Sequence, residues 1–384
     1  LCPPVFARLA EVQMKSEPLI VISPLSMPAC TGGGSREPKM EFAGIYVTRD
    51  KVYSLTACSY DEVSIFKTEY PHQLHSYKKS YSTHNGSISK GLSLEIKKII
   101  ERTSSIEAIT IAGFGPFYSL LQEDSCNNEY YRFYGKIKNT SFPISSSEKS
   151  LYLISKRILF NMLGDNNIQI SILTDVASSA LGELCLKFGI GLQKPSDFRK
   201  TFHNHVLAFL KISDGIGGGF TKGLNPWLGA LSPEMGDIIV CPHSQDMWTT
   251  SKYFNKNCIF SRASTSAIQD RWGVKNYKEL DKDHVAWDLQ AFYIAQLCVN
   301  VTMTISPSEI VLGGRLMNID GLLTKIRAHY MAFVTNSEGY ITPGYPEQKR
   351  NDFIRLVAEP IPGLTGALNY AASYRPLNSE QVWR

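Results

Sequence analysis

The 384-residue sequence predicts an α/β protein with two domains. One observation is the alternation of short apolar runs with helix-like segments, which is typical of a mixed or parallel sheet packed against helices. A second is that the later half of the chain repeats this order. A third is the stretch 210–220 (LKISDGIGGGF), where an apolar run leads into packed glycines. Such glycines let the backbone approach a ligand and turn its N–H groups toward phosphate oxygens, although a tight turn between two buried strands has the same appearance.

The first half of the chain shows strand signals at both ends and helix signals between them. Residues 42–57 predict two strands around a turn at 48–51. Apolar residues three and four positions apart predict a helix over 88–102. The remaining predicted elements of this half are a strand over 106–112 that closes on Gly113-Phe114-Gly115-Pro116, a helix over 148–163, a strand over 168–174 and a helix over 177–188.

In the second half, a strand over 205–212 leads into the glycines. Residues 285–305 predict a long helix that is apolar on more than one face, which is typical of a helix at the centre of a domain. It is expected to end before Ser306-Pro307, because the position before a proline disfavours helical backbone. A small-residue helix over 363–372 is expected to pack tightly. The other predicted elements are strands over 235–240 and 309–312 and a helix over 322–334.

The domain boundaries follow from composition and from these elements. Residues 1–39 are rich in Pro, Ser and Gly and have no steady period, so we expect an N-terminal extension that is flexible. The run TGGGS at 31–35 has no GK[ST] after it, which favours a linker over a phosphate loop. The predicted domains are 40–175 and 176–384.

The composition excludes several classes of protein. Hydrophobic residues make up 43% and charged residues 20%, as in ordinary soluble domains. The net charge of +5 comes from thinly spread Lys and Arg, so we expect no nucleic-acid partner. No apolar run is long enough to span a bilayer, and residues 1–39 lack a charged start followed by an apolar stretch, so we expect no secretory signal. The eight cysteines form no CxxC pair, which favours reduced thiols and a cytoplasmic location.

Three places carry residues suited to chemistry, and each has a plainer reading. Asp175 ends a strand and opens a helix, where a carboxylate can accept a proton from a substrate hydroxyl or simply cap the helix. Glu234 lies in the turn SPEMG and either binds sugar hydroxyls or is a solvated loop carboxylate. Gly313-Gly314 follows a strand and either lets an adenine lie on the backbone or forms a strand-to-helix turn.

Further motifs accompany these residues in the order of one known family. Together they resemble the ROK sugar kinases, and among them the bacterial-type fructokinases, over most of the chain. The motifs are Gly113-Phe114-Gly115-Pro116, Tyr134-Gly135-Lys136-Ile137 with Asn139-Thr140, Thr174-Asp175-Val176 with Ala180-Leu181-Gly182-Glu183, Asp214 to Gly219, Ser232-Pro233-Glu234-Met235-Gly236, Arg271-Trp272-Gly273, and Ser306-Pro307 with Ile310-Val311-Leu312-Gly313-Gly314.

The resemblance implies a two-domain, actin-like ATPase fold of the hexokinase type with a cleft between the domains. It implies ATP-dependent phosphorylation of a hexose, first of all fructose to fructose 6-phosphate, with Mg²⁺ neutralising phosphate charge. The expected partners are a hexose and ATP, and a homodimer is left open. The implied site residues are Asp175 as catalytic base; Glu234, Gly113, Phe114 and Gly115 for the sugar; and Lys51, Asp214, Gly215, Gly217, Gly218, Gly219, Gly313 and Gly314 for ATP.

Several positions depart from the family pattern. Of the first phosphate loop only Lys51 is retained, and an Asp within that loop would repel phosphate. In the second loop a Gly and a Thr are replaced, and a third glycine after the adenosine-side strand is an Arg. The altered positions are Tyr46, Thr48, Arg49 and Asp50 in the first loop, Ser213 and Asp214 in the second, Arg315 after the strand, and Ala177 and Phe260 elsewhere.

The family's structural zinc site is altered as well. Its four ligand positions hold Asp237, Lys252, Asn255 and Cys258 in this chain. One thiolate cannot hold a tetrahedral zinc ion, so we expect no structural zinc. The altered loops leave a second hypothesis open, in which the chain is a catalytically weak or inactive relative that acts as a sugar-binding, nucleotide-binding or scaffold protein.

Overall fold

Two five-stranded mixed sheets with the same strand order form the framework of the protein. The structure is a computed structural model that describes residues 40–48, 52–60, 65–69, 87–102, 106–114, 168–188, 203–227, 232–249 and 255–373. All of these residues belong to one compact unit, Glu37–Arg384. The predictions made for residues 1–39, for the 134–140 motif and for the helix over 148–163 lie outside the described residues.

The first sheet has the order β3-β2-β1-β4-β5. Strands β1 and β2 form an antiparallel hairpin, as predicted, and β4 and β5 extend the sheet in parallel from β1. Strand β4 is buried over six consecutive residues, because helices cover both faces of the sheet. The strands are β1 (Met40–Val47), β2 (Val52–Tyr60), β3 (Ile65–Glu69), β4 (Ile106–Gly113) and β5 (Gln169–Thr174).

The second sheet repeats this arrangement in the order β10-β9-β6-β7-β8. Strands β6 and β7 form the antiparallel hairpin, and β9 and β10 lie parallel to β6 on its other side. Strand β6 therefore corresponds to β1, β7 to β2, and β9 to β4. The strands are β6 (Val206–Ile212), β7 (Ile216–Lys222), β8 (Asn225–Pro226), β9 (Glu309–Gly313) and β10 (Ile354–Leu356).

Helices cover the outer faces of the sheets and lie between them. The predicted long central helix is α5 (Ala286–Ile305), which ends just before Ser306, a residue with positive φ that precedes Pro307. The described helices are α1 (Ser87–Arg102), α2 (Asp175–Phe188), α3 (Ile259–Ala263), α4 (Thr265–Trp272), α5 (Ala286–Ile305), α6 (Leu322–Val334) and α7 (Pro362–Ser373). None of the helices in the described ranges has both the length and the apolar character needed to cross a membrane.

One predicted strand is wrong. Residues 235–240 form a short 3-10 helix, Met235–Asp237, followed by a single bridge between Ile239 and Cys258. The physical reason is packing, since Gly236 lies directly against the carbonyl oxygen of Ile216 and Met235 packs on Gly218. These contacts hold the segment across strand β7 rather than beside it.

Helices α2 and α7 cross between the two sheets, and each packs on the sheet that it does not directly follow. Helix α2 follows β5 but contacts β6 and β7, whereas α7 follows β10 but contacts β1 and β4. Glycines permit the close crossing, because a Cβ on Gly182 or Gly366 would overlap the backbone of the other helix. The predicted tight packing of the small-residue helix is therefore confirmed, while the division of the chain at residue 175 stays a prediction.

Candidate functional site

Asp175 lies where the parallel strands of the first sheet end. Strand β5 ends at Thr174, and Gly113 at the end of β4 is the register partner of Thr174. The next residue after Gly113 is Phe114, whose side chain is 43% exposed. The structure therefore brings Asp175 beside Gly113 and Phe114 at a strand-end edge, which is where ligands of open α/β sheets gather. Gly115 and Lys51 lie outside the described residues.

The carboxylate of Asp175 does not cap its helix. The hydroxyl Oγ1 of Thr174 accepts the hydrogen bond from the Ala177 N–H at 3.2 Å. Among the described residues, Asp175 Oδ1 accepts from the adjacent Val176 N–H at 3.0 Å, and Oδ2 accepts from Lys211 Nζ at 2.6 Å. The capping explanation of Asp175 is therefore wrong, and its side chain is oriented by a cation instead.

Sequence reasoning missed Lys211. It is the second-last residue of β6, and its register partners are Gly217 on β7 and Gly313 on β9. The Asp175 side chain is only 10% exposed and the Lys211 side chain 36%. The available signal was a charged residue at the end of the otherwise apolar run VLAFLKI.

Burial and the neighbouring charges have opposite effects on the pKa of Lys211. Burial by itself would lower the pKa of the Lys211 ammonium, but the attraction of Asp175 and the proximity of Tyr46 outweigh it and raise that pKa above its usual range. Burial also raises the pKa of the Tyr46 phenol, while Lys211 opposes this increase. Tyr46 hydrogen-bonds to Ser179, whose hydroxyl in turn donates to the Asp175 carbonyl at 2.7 Å. The first turn of α2 is thus held from both sheets.

The glycine stretch is mainly a strand. Residues 216–222 form β7, and the turn itself contains only Ser213, Asp214 and Gly215. A Cβ on Gly219 would overlap the backbone of Val176, and one on Gly217 would lie 3.2 Å from the Val176 side chain. These glycines therefore let the first turn of α2 approach the sheet. The tight turn that the sequence also suggested is limited to residues 213–215 and does not account for them. Their predicted contact with ATP stays a prediction.

The turn at Ser213–Gly215 is held by the neighbouring elements. Asp214 Oδ1 accepts from Thr265 Oγ1 at 2.8 Å, and its Oδ2 is paired with the Arg315 guanidinium. Arg315 also donates to Ser213 Oγ at 3.3 Å. The Asp214 carboxylate is thus neutralised by a residue from the loop after β9.

Gly313 and Gly314 end β9 beside this turn. Gly314 has φ +97 and lies against the carbonyl oxygen of Ile212, so no side chain fits there. Gly313 faces the Phe209 ring, which a Cβ would approach to 2.8 Å. The two glycines therefore deliver Arg315 to the Ser213–Gly215 turn.

Glu234 is exposed and lies directly before the 3-10 helix that packs on β7. Its neighbour Met235 contacts Gly218, which ties the segment to the glycine strand. The structure thus brings Asp175 together with Gly113 and Phe114, and Gly217 and Gly219 lie against the residue after Asp175. Gly218 and its contact Met235, the neighbour of Glu234, lie on the other face of β7. The roles given to these residues stay predictions.

The segment that corresponds to the family's zinc region is held by a buried ion cluster. Asp246 is paired with Arg262 at 3.2 Å and with Arg271, and it accepts from the Tyr293 hydroxyl. Burial would raise the pKa of Asp246, but the Tyr293 hydrogen bond and Arg271 outweigh this effect and hold the pKa below its usual range. Within the described ranges, no group of three or more His, Cys, Asp or Glu side chains is arranged to hold a metal ion.

Comparison with known proteins gives this arrangement a family. The model of the ROK family matches residues 133–342, more than half of the chain. The chain belongs to the ROK family. Two bacterial relatives cover about two thirds of this ROK chain. A putative fructokinase of Bacillus subtilis is 28% identical over 260 residues, which are 65% of this chain and 77% of the relative. A fructokinase of Streptococcus mutans is 25% identical over 237 residues, 61% of this chain and 70% of the relative.

Solved ROK structures share the fold. A ROK hexokinase from Thermus thermophilus aligns with a TM-score of 0.57 at 16% identity, over 87% of this chain and 98% of that one. A ROK family protein from Streptococcus pneumoniae, solved in complex with sucrose, aligns with a TM-score of 0.54 at 16% identity, over 86% and 98%. A ROK family transcriptional regulator aligns with a TM-score of 0.53 at 14% identity, over 86% and 78%. The predicted hexokinase-type α/β fold is confirmed.

Proposed function

We propose that this ROK-family chain is an ATP-dependent hexose kinase and that its acceptor is fructose, converted to fructose 6-phosphate. The observation that carries the proposal is the buried, oriented carboxylate of Asp175 at the strand-end edge beside Gly113 and Phe114. Support comes from family membership and from relatives named fructokinase that match over most of their length.

In this proposal Asp175 accepts the proton of the sugar 6-hydroxyl while the hydroxyl oxygen attacks the γ-phosphorus of ATP and ADP leaves. Glu234, Gly113, Phe114 and Gly115 hold the sugar. Phosphoryl transfer needs positioning and charge stabilisation more than covalent help from the protein. A cytoplasmic location, a homodimer and a domain division at residue 175 belong to the same proposal.

In this proposal the phosphates lie at the end of the second sheet, and Lys51 is a further residue expected to contact them. The Ser213–Gly215 turn and Gly314 lie next to each other there, with Arg315 between them. Asp175 and Asp214 are already paired with Lys211 and Arg315, so neither carboxylate is offered as a metal ligand. Mg²⁺ therefore enters this proposal as part of the nucleotide substrate, bound to its phosphates.

Steady-state assays test the proposal. ADP release is measured with ATP–Mg²⁺ and fructose, glucose or mannose, and the sugar phosphate is identified by mass. We expect transfer to fructose with the highest kcat/KM. Asp175→Asn should lower kcat by roughly two to four orders of magnitude with sugar binding little changed. A preference for another hexose would correct the acceptor only, whereas no transfer to any hexose would refute the kinase.

A matched variant controls for stability. Ser178→Ala removes the hydrogen bond from Ser178 Oγ to the Gly363 carbonyl, 2.6 Å, in the same helix, and it leaves Asp175 in place. It should cost about 1 kcal/mol of folding free energy and keep activity. Asp175→Asn is expected to cost more than a lost cap, because Lys211 then loses its partner. If Asp175→Asn retains full activity, Asp175 is not the base.

A second candidate function is favoured by the same ion pairs. The carboxylates of Asp175 and Asp214 are each paired with a cation, which also suits a protein that binds a sugar or nucleotide without turnover. The ROK fold is shared by a transcriptional regulator. Calorimetric titration separates the candidates, since a binding protein takes up fructose or ATP–Mg²⁺ with no ADP release during prolonged incubation.

A further inference from the structure

Lys211 lies at the centre of the site, and the proposed reaction gives it no role. It points from β6 toward α2, on the same face of the sheet as Leu207 and Phe209, which pack against that helix. Both register partners of Lys211 are glycines, Gly217 and Gly313. On both adjacent strands, the position directly opposite Lys211 therefore carries no side chain, and the long Lys211 side chain reaches the N-terminus of α2.

The contact with Asp175 is specific to one carboxylate oxygen. Oδ1 accepts the Val176 N–H at 3.0 Å, and Oδ2 accepts Lys211 Nζ at 2.6 Å. An ionised carboxylate offers about four lone-pair positions, so two such contacts fix the plane of the group and leave acceptor capacity for a substrate hydroxyl. Because the Asp175 side chain is only 10% exposed, its charge is stabilised mainly by this ammonium.

Among the residues that the structure describes, no second cation is in direct contact with this carboxylate. The charged and titratable groups that act on the pair are Tyr46 from β1 and Arg315 from the loop after β9. Arg315 is paired with Asp214, and Tyr46 is bonded to Ser179 and influenced by Tyr53 of β2. Among the described residues, Lys211 is thus the cation that forms an ion pair with Asp175.

We infer that Lys211 is the positioning residue of the kinase, which holds the Asp175 carboxylate in place and turned toward the acceptor hydroxyl. The inference rests on the proposed function and deepens it. Tyr46 and Ser179 hold the backbone of the same helical turn, so they fix where Asp175 lies, and Lys211 fixes its orientation.

The test compares Lys211→Met with Lys211→Arg. The methionine keeps an unbranched side chain without charge, and the arginine keeps the cation. Rates of ADP release with ATP–Mg²⁺ and fructose are measured from pH 6 to 9. For Lys211→Met we expect kcat at pH 7 to fall roughly tenfold to hundredfold, a part of what a general base contributes, with KM for fructose nearly unchanged. The pH profile of kcat should differ from that of the wild type, because the variant lacks the charge beside the base.

Lys211→Arg should retain most of the wild-type rate and the wild-type pH profile. Ser178→Ala serves as the stability control, since it weakens the same helix without touching either charge. If Lys211→Met does not fold, Lys211→Gln replaces it in the same measurement. A purely structural role would lower the melting temperature in parallel with activity and leave the pH profile unmoved, which would overturn the inference.

The outcomes also separate this inference from the proposed function. A wild type that phosphorylates fructose, together with a Lys211→Met variant of equal kcat and pH profile, overturns the positioning role and leaves the kinase standing. A Lys211→Met variant faster than the wild type overturns it as well, since Lys211 would then restrain Asp175. A wild type that phosphorylates no hexose overturns both.

Discussion

The two sheets of this protein share one topology but use it differently. In the first sheet, the second-last residue of the central strand β1 is Tyr46, paired with Tyr53 and Ala112. In the second sheet, the same place in β6 is taken by Lys211, paired with two glycines. The first sheet thus presents an aromatic side chain to the crossing helices. The second presents a cation whose neighbours on both adjacent strands are glycines.

Both sheets solve the same packing problem with a glycine, at different strands. Gly44 on β1 lets α7 lie on the first sheet, and Gly219 on β7 lets α2 lie on the second. Because the close contact is at Gly219 on β7 rather than on the central strand, the N-terminus of α2 lies over the β6–β7 hairpin, next to the Ser213–Gly215 turn. The comparison teaches that two sheets of the same topology can differ in function. What differs is the strand whose glycine allows a helix to pack closely.

A further difference lies at the opposite end of the sheets. Strand β9 begins with Glu309, a fully buried acid, where the corresponding strand β4 begins with Ile106. Glu309 pairs with Lys187 and His205 at 2.9 Å and with Arg355 at 2.7 Å. Burial would raise the pKa of Glu309, but the His205 hydrogen bond and Arg355 outweigh it and lower the pKa to about 2.

The largest expected effect is therefore that of Glu309→Gln. Removing the charge leaves three cationic or polar partners around a neutral amide, so unfolding free energy at pH 7 should fall by about 3 kcal/mol. Urea denaturation measures the change. The matched control on the first sheet is Glu107→Gln, an exposed residue of β4, which should stay within about 0.5 kcal/mol of the wild type.

The pH dependence of that difference sharpens the comparison. The pKa of Glu309 is lowered on folding, from its ordinary 4.5 to about 2. Its contribution is therefore present above pH 4.5 and is lost as pH falls toward 2. Wild type and Glu309→Gln should converge in stability over that window. A gap that stays constant down to pH 2.5, about the lower end of that window, would mean that the acid acts by shape rather than by charge.

A smaller effect is expected from the glycines that seat the crossing helices. Gly219→Ala and Gly44→Ala should each cost about 2 kcal/mol, because the added methyl group meets backbone that cannot turn aside. Gly217→Ala is the control, since its Cβ would meet a movable Val176 methyl at 3.2 Å, and it should cost less than about 1 kcal/mol. Thermal melts of the three variants decide the point. Equal stability of Gly219→Ala and wild type would contradict the described seat of α2.

The exposed pair between Asp214 and Arg315 should matter least for folding. The Arg315 side chain is 63% exposed, and surface ion pairs contribute at most about 1 kcal/mol. Arg315→Ala should therefore barely move the urea midpoint. A loss well above that limit would show that the second hairpin needs this arginine to keep its turn, unlike an ordinary surface pair.

Zinc removal is expected to change nothing. Within the described part of the 238–258 segment, Asp246 ties the segment to helices α3 and α4 through Arg262 and Arg271. Extended dialysis against a chelator should leave the melting temperature unchanged. Elemental analysis that finds one tightly bound zinc per chain would contradict this expectation and implicate residues such as Cys241 and His243.

The sequence by itself determined the α/β class, the repeat of the two halves, most element bounds and the position of Asp175 at a strand end. These follow from apolar periodicity, from turn residues and from motif order, which are local properties of the chain. They also placed Glu234, the β7 glycines and Gly314 within one family pattern.

Only the tertiary structure decided what those residues touch. Thr174 rather than Asp175 caps α2, and the glycines seat a helix that departs from the other sheet. Lys211 and Asp175 are 36 positions apart in the sequence, and Arg315 and Asp214 are 101 positions apart. Such pairs depend on which strands become neighbours and which helix crosses them. A local pattern carries no record of that choice, because it is made by burial of surface between segments that are distant in the chain.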